Sequence, residues 1–289
     1  MQLFGQRKGS TALWVLIGVV ILAVIIGVVF LLQTRTKEQV STTTTPQTTT
    51  QTPAKSATPE QTTTTKAPMW MWSGTVWQAS STPAACATPI TFKAPADLSK
   101  ATAVLYPGQT RGGNYKPHGG LRFDGVKNNA ITVSVPMDAY VVDGSRYIEA
   151  GETQYMFDFE VACGLRYRFD HLLTLSPAFQ ALADTLPAAK VDDSRTTNFS
   201  TALAVKAGDP IATAVGFSKT SNVSFDWGVY DLRAKNTAST DATWVAAHDA
   251  QLAHYGVCWF DMLSTADEAT VRALPAGDST SGKTSDFCK

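Results

Sequence analysis

Residues Ala12 to Leu32 read ALWVLIGVVILAVIIGVVFLL, 21 residues without a charge. As a helix such a run is about 30 Å long, the thickness of the hydrocarbon layer of a bilayer. The sequence therefore predicts a transmembrane helix over 12–32, preceded by a short cytoplasmic segment, 1–11. A cleaved secretory signal would carry an apolar core of about 7–15 residues and a small-x-small cleavage site. The following LLQTRTKEQ has no such site. Arg7 and Lys8 before the run are matched by Arg35 and Lys37 after it, so the positive-inside count is nearly level. Residues 33–66 break the tie. Most of this stretch, STTTTPQTTTQTPAKSATPEQTTTTK, is Thr, Pro, Gln, Ser and Ala, with too little apolar surface to offset the entropy of ordering. It reads as a disordered stalk of the kind that holds a folded head off a membrane. The expected arrangement is a single-pass protein with its head outside the cytoplasmic membrane and the lipid bilayer as a partner of the first helix.

The charges balance, 24 basic against 24 acidic, so no bulk attraction to nucleic acid is implied. Four cysteines, Cys86, Cys163, Cys258 and Cys288, all follow the stalk and show no CxxC pair. Thiolate zinc is thus unsupported, and an oxidising exterior suits disulfides. Four sulfurs allow three pairings. Cys258 with Cys288 would tie down the polar tail PAGDSTSGKTSDFCK, and Cys86 with Cys163 is then left. Closing a loop of about 30 residues contributes roughly 3–4 kcal/mol in the chain-entropy model.

Beyond the stalk, an N-terminal extension (67–102) begins with APMWMWSGTVW, an aromatic cluster suited to a strand or lid. From 103 to 233 the segments are short, β-rich and separated by turns. AITVSVPMDAYVVDG, QYMFDFEVACG, GLRYRFDHLLTL and NVSFDWGVYDL alternate or carry the β-branched and aromatic residues of strands. An antiparallel, mostly β domain is expected. One helical insertion interrupts it, where Phe179, Leu182 and Leu186 fall at helical spacing after Ser176-Pro177. A C-terminal extension (234–289) is partly helical in pattern. His248 and His254 are six apart, which fits neither a helical metal pair nor a zinc finger, and they read as ordinary surface or interface residues. No G-x-S-x-G elbow and no phosphate loop ending in Gly-Lys-Ser/Thr occurs.

Taken in order, YKPHGGLRFDG, SVPMDAYVVDG, GLRYRFDHLLTL, VKAGDPIATAVG and SNVSFDWGVYD resemble the successive blocks of the lysostaphin/LytM-type peptidoglycan metallopeptidases. The likeness spans roughly 104–231, with an insertion between Ser176 and Val205. It implies a duplicated-hybrid-motif β-sandwich. It also implies a zinc site built from a first His, an Asp four residues on and the second His of His-x-His, with further histidines orienting the attacking water.

Carried over position by position, His118 stands at the first ligand, but Arg122 replaces the Asp, and Ser224 and Asp226 replace the two histidines of His-x-His. Only His171 keeps its identity among the water-activating positions, as a vestigial catalytic residue. A zinc peptidase needs three protein ligands around an open coordination position, whereas Arg122 brings a permanent positive charge and no lone pair. The expectation is a groove of Tyr115, His118, Arg122, Asp124, Ser224 and Asp226 without a metal, in which Arg122 pairs with Asp226. The alternative is a shifted zinc site from His118, Asp124 and Asp226, with His171 beside it. The functions that follow are a catalytically degenerate protein binding peptidoglycan or a cell-envelope protein, or an active zinc endopeptidase cutting wall cross-links. A third is a surface structural or adhesion module presenting Trp70, Trp72 and Trp77 as an exposed patch.

Overall fold

The computed structural model describes residues 70–289, all within one unit, Glu60–Lys289. The cytoplasmic segment, the helix over 12–32 and the stalk of the sequence reading lie outside the described residues. Among those described, no helix is long and apolar enough to cross a membrane.

The turn-punctuated segments form strands that pair almost wholly antiparallel. Two early strands, β1 (Trp70–Trp72) and β2 (Trp77–Ala79), make a hairpin. A second small hairpin joins β4 (Gln109–Arg111) and β5 (Asn114–Lys116). The main sheet has nine strands. Its members are β3 (Ala103–Leu105), β6 (Gly119–Arg122), β7 (Val133–Ser134), β8 (Ala139–Glu149), β9 (Glu152–Val161), β10 (Leu165–Leu175), β11 (Thr197–Val205), β12 (Pro210–Val215) and β13 (Ser224–Asp231). They run in the order β11-β8-β9-β10-β13-β6-β3, with β12 on the far half of β10 and β7 on β12.

Alternation decides what each face of this sheet carries. Phe157 and Phe159 of β9, Tyr167 and Phe169 of β10, and Phe225 and Trp227 of β13 are fully buried on the core side. Their rings interlock: Phe159 stacks on Tyr167 at 4.6 Å between centroids, and Phe169 on Trp227 at 5.8 Å. The intervening positions bring Asp158, Glu160, Arg166 and Arg168 to the other face, where the first three are also buried.

Helix α1 (Pro177–Ala183) starts after Ser176 as the spacing anticipates and ends sooner than the apolar pattern does. Phe179, Ala183 and Leu186 seat it on the core. The C-terminal extension contributes α2 (Ala242–Ala247) and α3 (Thr265–Ala273), and Trp259, Phe260 and Val271 enter the same core cluster as the sheet. Both expected disulfides are present, Cys86–Cys163 and Cys258–Cys288.

Two surface expectations are corrected here. Trp70 and Trp77 are buried, so the tryptophans make no exposed patch; they pack against Tyr230, Leu232 and Tyr255, leaving Trp72 half-buried at the edge. His254 is also buried, with Nε2 3.3 Å from the carbonyl of Val245 in the C-terminal extension.

Candidate functional site

The centre of the site is a one-residue irregularity in β10. Phe169 pairs with Phe157 of β9, and the next pairing is Leu172 with Tyr155, so three steps on β10 match two on β9. Such a bulge re-aims side chains. Phe169 and Leu172 both point into the core, which turns two consecutive residues, Asp170 and His171, to the opposite face, where both line one cleft. The strand also changes partner here, from β13 up to Asp170 to β12 from Leu172. His171 holds the left-handed conformation at φ 62°, unusual for a residue with a side chain. Its N–H donates to Asp170 Oδ1 at 2.7 Å, and its carbonyl accepts from Gly216 N at 2.7 Å. Tyr147 Oη donates to the same Asp170 oxygen at 2.6 Å. A strained residue fixed by specific bonds on both sides is a feature that marks functional positions.

His118 comes from the turn before β6, and Asp226 lies opposite Gly120 on β13. Two glycines make room for them. A Cβ on Gly228 would come within 2.9 Å of His118 Cβ, and one on Gly120 within 3.1 Å of Asp226 Oδ1. Asp226 Oδ2 sits 3.0 Å from His118 Nε2 and 3.7 Å from His171 Nε2. At 3.0 Å His118 Nε2 lies against the carboxylate without the direction of a hydrogen bond. Buried Arg111 of β4 donates to the carbonyls of Tyr106 and His118 at 2.7 and 3.0 Å and so fixes the backbone that carries the imidazole.

The electrostatics follow from this crowding. Burial would raise the Asp226 carboxyl, but His118, His171 and Arg111 outweigh it and hold the group far below the ordinary carboxylate range. Burial opposes charge on His171 as well, and Asp170, Asp226 and Glu149 together overcome it, raising the imidazole above its usual value. The cleft around the cluster encloses about 760 Å³ and is completed by Lys116, Glu149, Asp192, Arg195 and Gln251 from elements far apart in the sequence.

The sequence-derived residues divide cleanly. His118, His171 and Asp226 are brought together. Arg122 does not pair with Asp226: it lies across from Ser224 and bonds Asp124 Oδ1 at 2.9 Å instead. That pair stays partly hydrated, the side chains being 33% and 52% exposed, whereas reaching Asp226 would bury a guanidinium beside a carboxylate already flanked by two imidazoles. Asp124 also accepts from Thr102 and stands outside the cluster, so the shifted set of His118, Asp124 and Asp226 is not assembled. Ser224 is buried and turns to Asn222 at 3.3 Å. Tyr115 leaves the cleft altogether; its hydroxyl donates to Asp286 at 2.9 Å and its ring packs on His248 at 4.0 Å.

This donor set does not fit the zinc site that the resemblance implies. Arg122 supplies no lone pair at the second ligand position, and the Asp226 carboxylate rests directly against His118. Among the described residues no group of three His, Cys, Asp or Glu side chains is arranged to hold a metal ion. The residues missed by sequence reasoning are Tyr147, Asp170, the buried Arg166 and the half-buried Arg168. Their signal was the RYRFDH stretch, where charges recur at every second position of an otherwise aromatic strand.

No family model matches the chain, and neither a curated protein nor a solved structure matches it.

Proposed function

We propose that the protein is a membrane-anchored, extracytoplasmic relative of the LytM-type peptidases that has lost hydrolysis and kept the groove. In this reading the head carries a duplicated-hybrid-motif β-fold and its cleft binds a peptide-bearing strand of the cell wall. One observation carries the proposal. His118, His171 and Asp226, drawn from three places in the resembling blocks, converge in one cleft, and the carboxylate there lies between the two imidazoles. The mostly β, antiparallel architecture supports the same reading.

In this reading the cluster serves binding through its hydrogen-bond donors and acceptors, and it lacks the three-ligand set of a zinc peptidase. The hydroxyl nearest the cluster in these contacts, that of Tyr147, is engaged with Asp170, and burial next to that carboxylate pushes its ionisation far above the normal phenol range. A protonated His171 beside Lys116 can receive the carboxylate or carbonyls of a peptide, while Asp170 and Glu149 accept its N–H groups.

The test uses full-length protein in detergent, incubated with purified wall sacculi. Cosedimentation without release of soluble fragments is expected, and His171→Ala weakens it. Zinc-dependent release of wall fragments by the unmodified protein overturns the degenerate reading in favour of an active endopeptidase.

A further inference from the structure

Next to the His171 cleft lies a smaller pocket of about 290 Å³, walled by the β1–β2 hairpin. The two share Arg168, Thr196, Gln251 and Leu252 and are therefore adjoining compartments of one groove. Trp70 and Trp77 are buried and anchor the hairpin, with the Trp77 ring over the Arg166 guanidinium at 5.3 Å. Trp72 is left as the half-buried aromatic wall, 5.8 Å from Trp77 and edge-on to Tyr255 at 6.3 Å. On the rim, Asn198 and Gln251 are exposed, and their side-chain amides have no hydrogen-bond partner among the described residues.

The floor is charged but internally matched. Arg166 pairs with both Asp143 and Asp158, and Arg168 holds Asp158 through bonds of 2.8 and 2.6 Å. Both guanidiniums are already engaged, and Glu160 stands across from Arg166 on β9 and accepts from Trp70 N at 2.8 Å, so no cation among the described floor residues is left open to an anionic ligand. Yet the floor is not fully satisfied: Asp143 Oδ1 and Arg166 Nε are buried without a partner, in residues only 5% and 7% exposed. These two atoms lie sealed below the pocket surface, and what the pocket presents to a ligand is the aromatic wall and the two free amides.

We propose that this pocket binds one ring of a neutral pyranose chain. A pyranose presents an apolar C–H face to an aromatic ring, and its edge hydroxyls both donate and accept, as the two amides require. An anionic ligand would find its counter-charge already taken, and an apolar one would leave the amides unmet. The inference deepens the wall-binding proposal and rests on it only for the identity of the longer chain; the sugar chemistry stands on the pocket. A strand carrying sugar and peptide would place its sugar against Trp72 and its peptide against His171.

Full-length protein in detergent is titrated with the β-1,4-linked tetramer of N-acetylglucosamine, following tryptophan fluorescence. Saturable binding is expected, weakened about tenfold or more in Trp72→Ala and in Asn198→Ala, a change of about 1.4 kcal/mol. Asn198 is exposed, so its variant remains informative if Trp72→Ala fails to fold. Absence of binding to folded protein at millimolar tetrasaccharide overturns the inference, even where intact walls are bound. Binding unaltered in both variants overturns the placement. Tetrasaccharide binding by a protein that ignores sacculi supports the sugar site and overturns the wall-binding reading instead.

Discussion

Asp158 is the residue whose removal probes the groove floor most directly. Its carboxylate is fully buried and accepts Arg168 Nε and Nη2 at 2.8 and 2.6 Å, with Arg166 Nη2 at 3.1 Å. Burial alone would raise its ionisation, but Arg168 and Arg166 bring it down to about 2. Asp158→Ala therefore strips Arg168 of its bidentate partner while Arg166 keeps Asp143 and the Trp77 ring. Breaking one side of a buried pair costs about 3–5 kcal/mol, because the remaining charge is left in a poor solvent. For a unit of this size each kcal/mol lowers the melting temperature by about 2–4 °C, so the expected fall is roughly 6–20 °C. The assay is thermal unfolding by near-UV circular dichroism, which follows the aromatic core, on full-length protein in detergent. Replacing both partners, Asp158→Ala with Arg168→Met, removes the orphaned charge and loses much less than the two single losses added together. An Asp158→Ala protein within about 1 kcal/mol of the parent, or a double variant that simply sums, refutes the argument that this pair is mutually dependent.

Three other outcomes are expected. His171 titrates above the ordinary histidine value in the folded state, so the stability it contributes is complete below about pH 6.5 and is lost as pH rises through the folded value; His171→Asn, which tolerates the left-handed backbone, removes that decline in melting temperature. Gly228→Ala places a methyl 2.5 Å from Tyr230 Oη and 2.9 Å from His118 Cβ, which costs about 1–3 kcal/mol by overpacking and weakens sacculus cosedimentation by displacing His118. The triple change Arg122→Asp, Ser224→His and Asp226→His rebuilds the ligand set of the resembling peptidases with His118 and is expected to bind zinc with a Kd below about 1 µM by calorimetry, equivalent to roughly −8 kcal/mol; no heat of zinc binding above that concentration range refutes the positional correspondence.

What was legible in the sequence was local or pairwise. Period-two alternation marked β9, β10 and β13, because a strand's side chains must face opposite sides whatever it packs against. Helical spacing after Ser176-Pro177 located α1, and the absence of CxxC spacing, with a tail in need of anchoring, led to both disulfide pairings. His118, His171 and Asp226 were nameable from motif order alone. Tertiary structure decided the rest, since it depends on distances between segments. Alternation could not say that the charged face of β9 and β10 is buried; the hairpin of Trp70 and Trp77 covers it, and Arg166 and Arg168 make that tolerable. Complementary sign suggested Arg122 with Asp226, but charge pairs form where both groups stay solvated or fully matched, and register set Arg122 across from Ser224. The bulge that turns Asp170 and His171 together arises from a count of residues between two strands, three against two, which neither strand contains by itself.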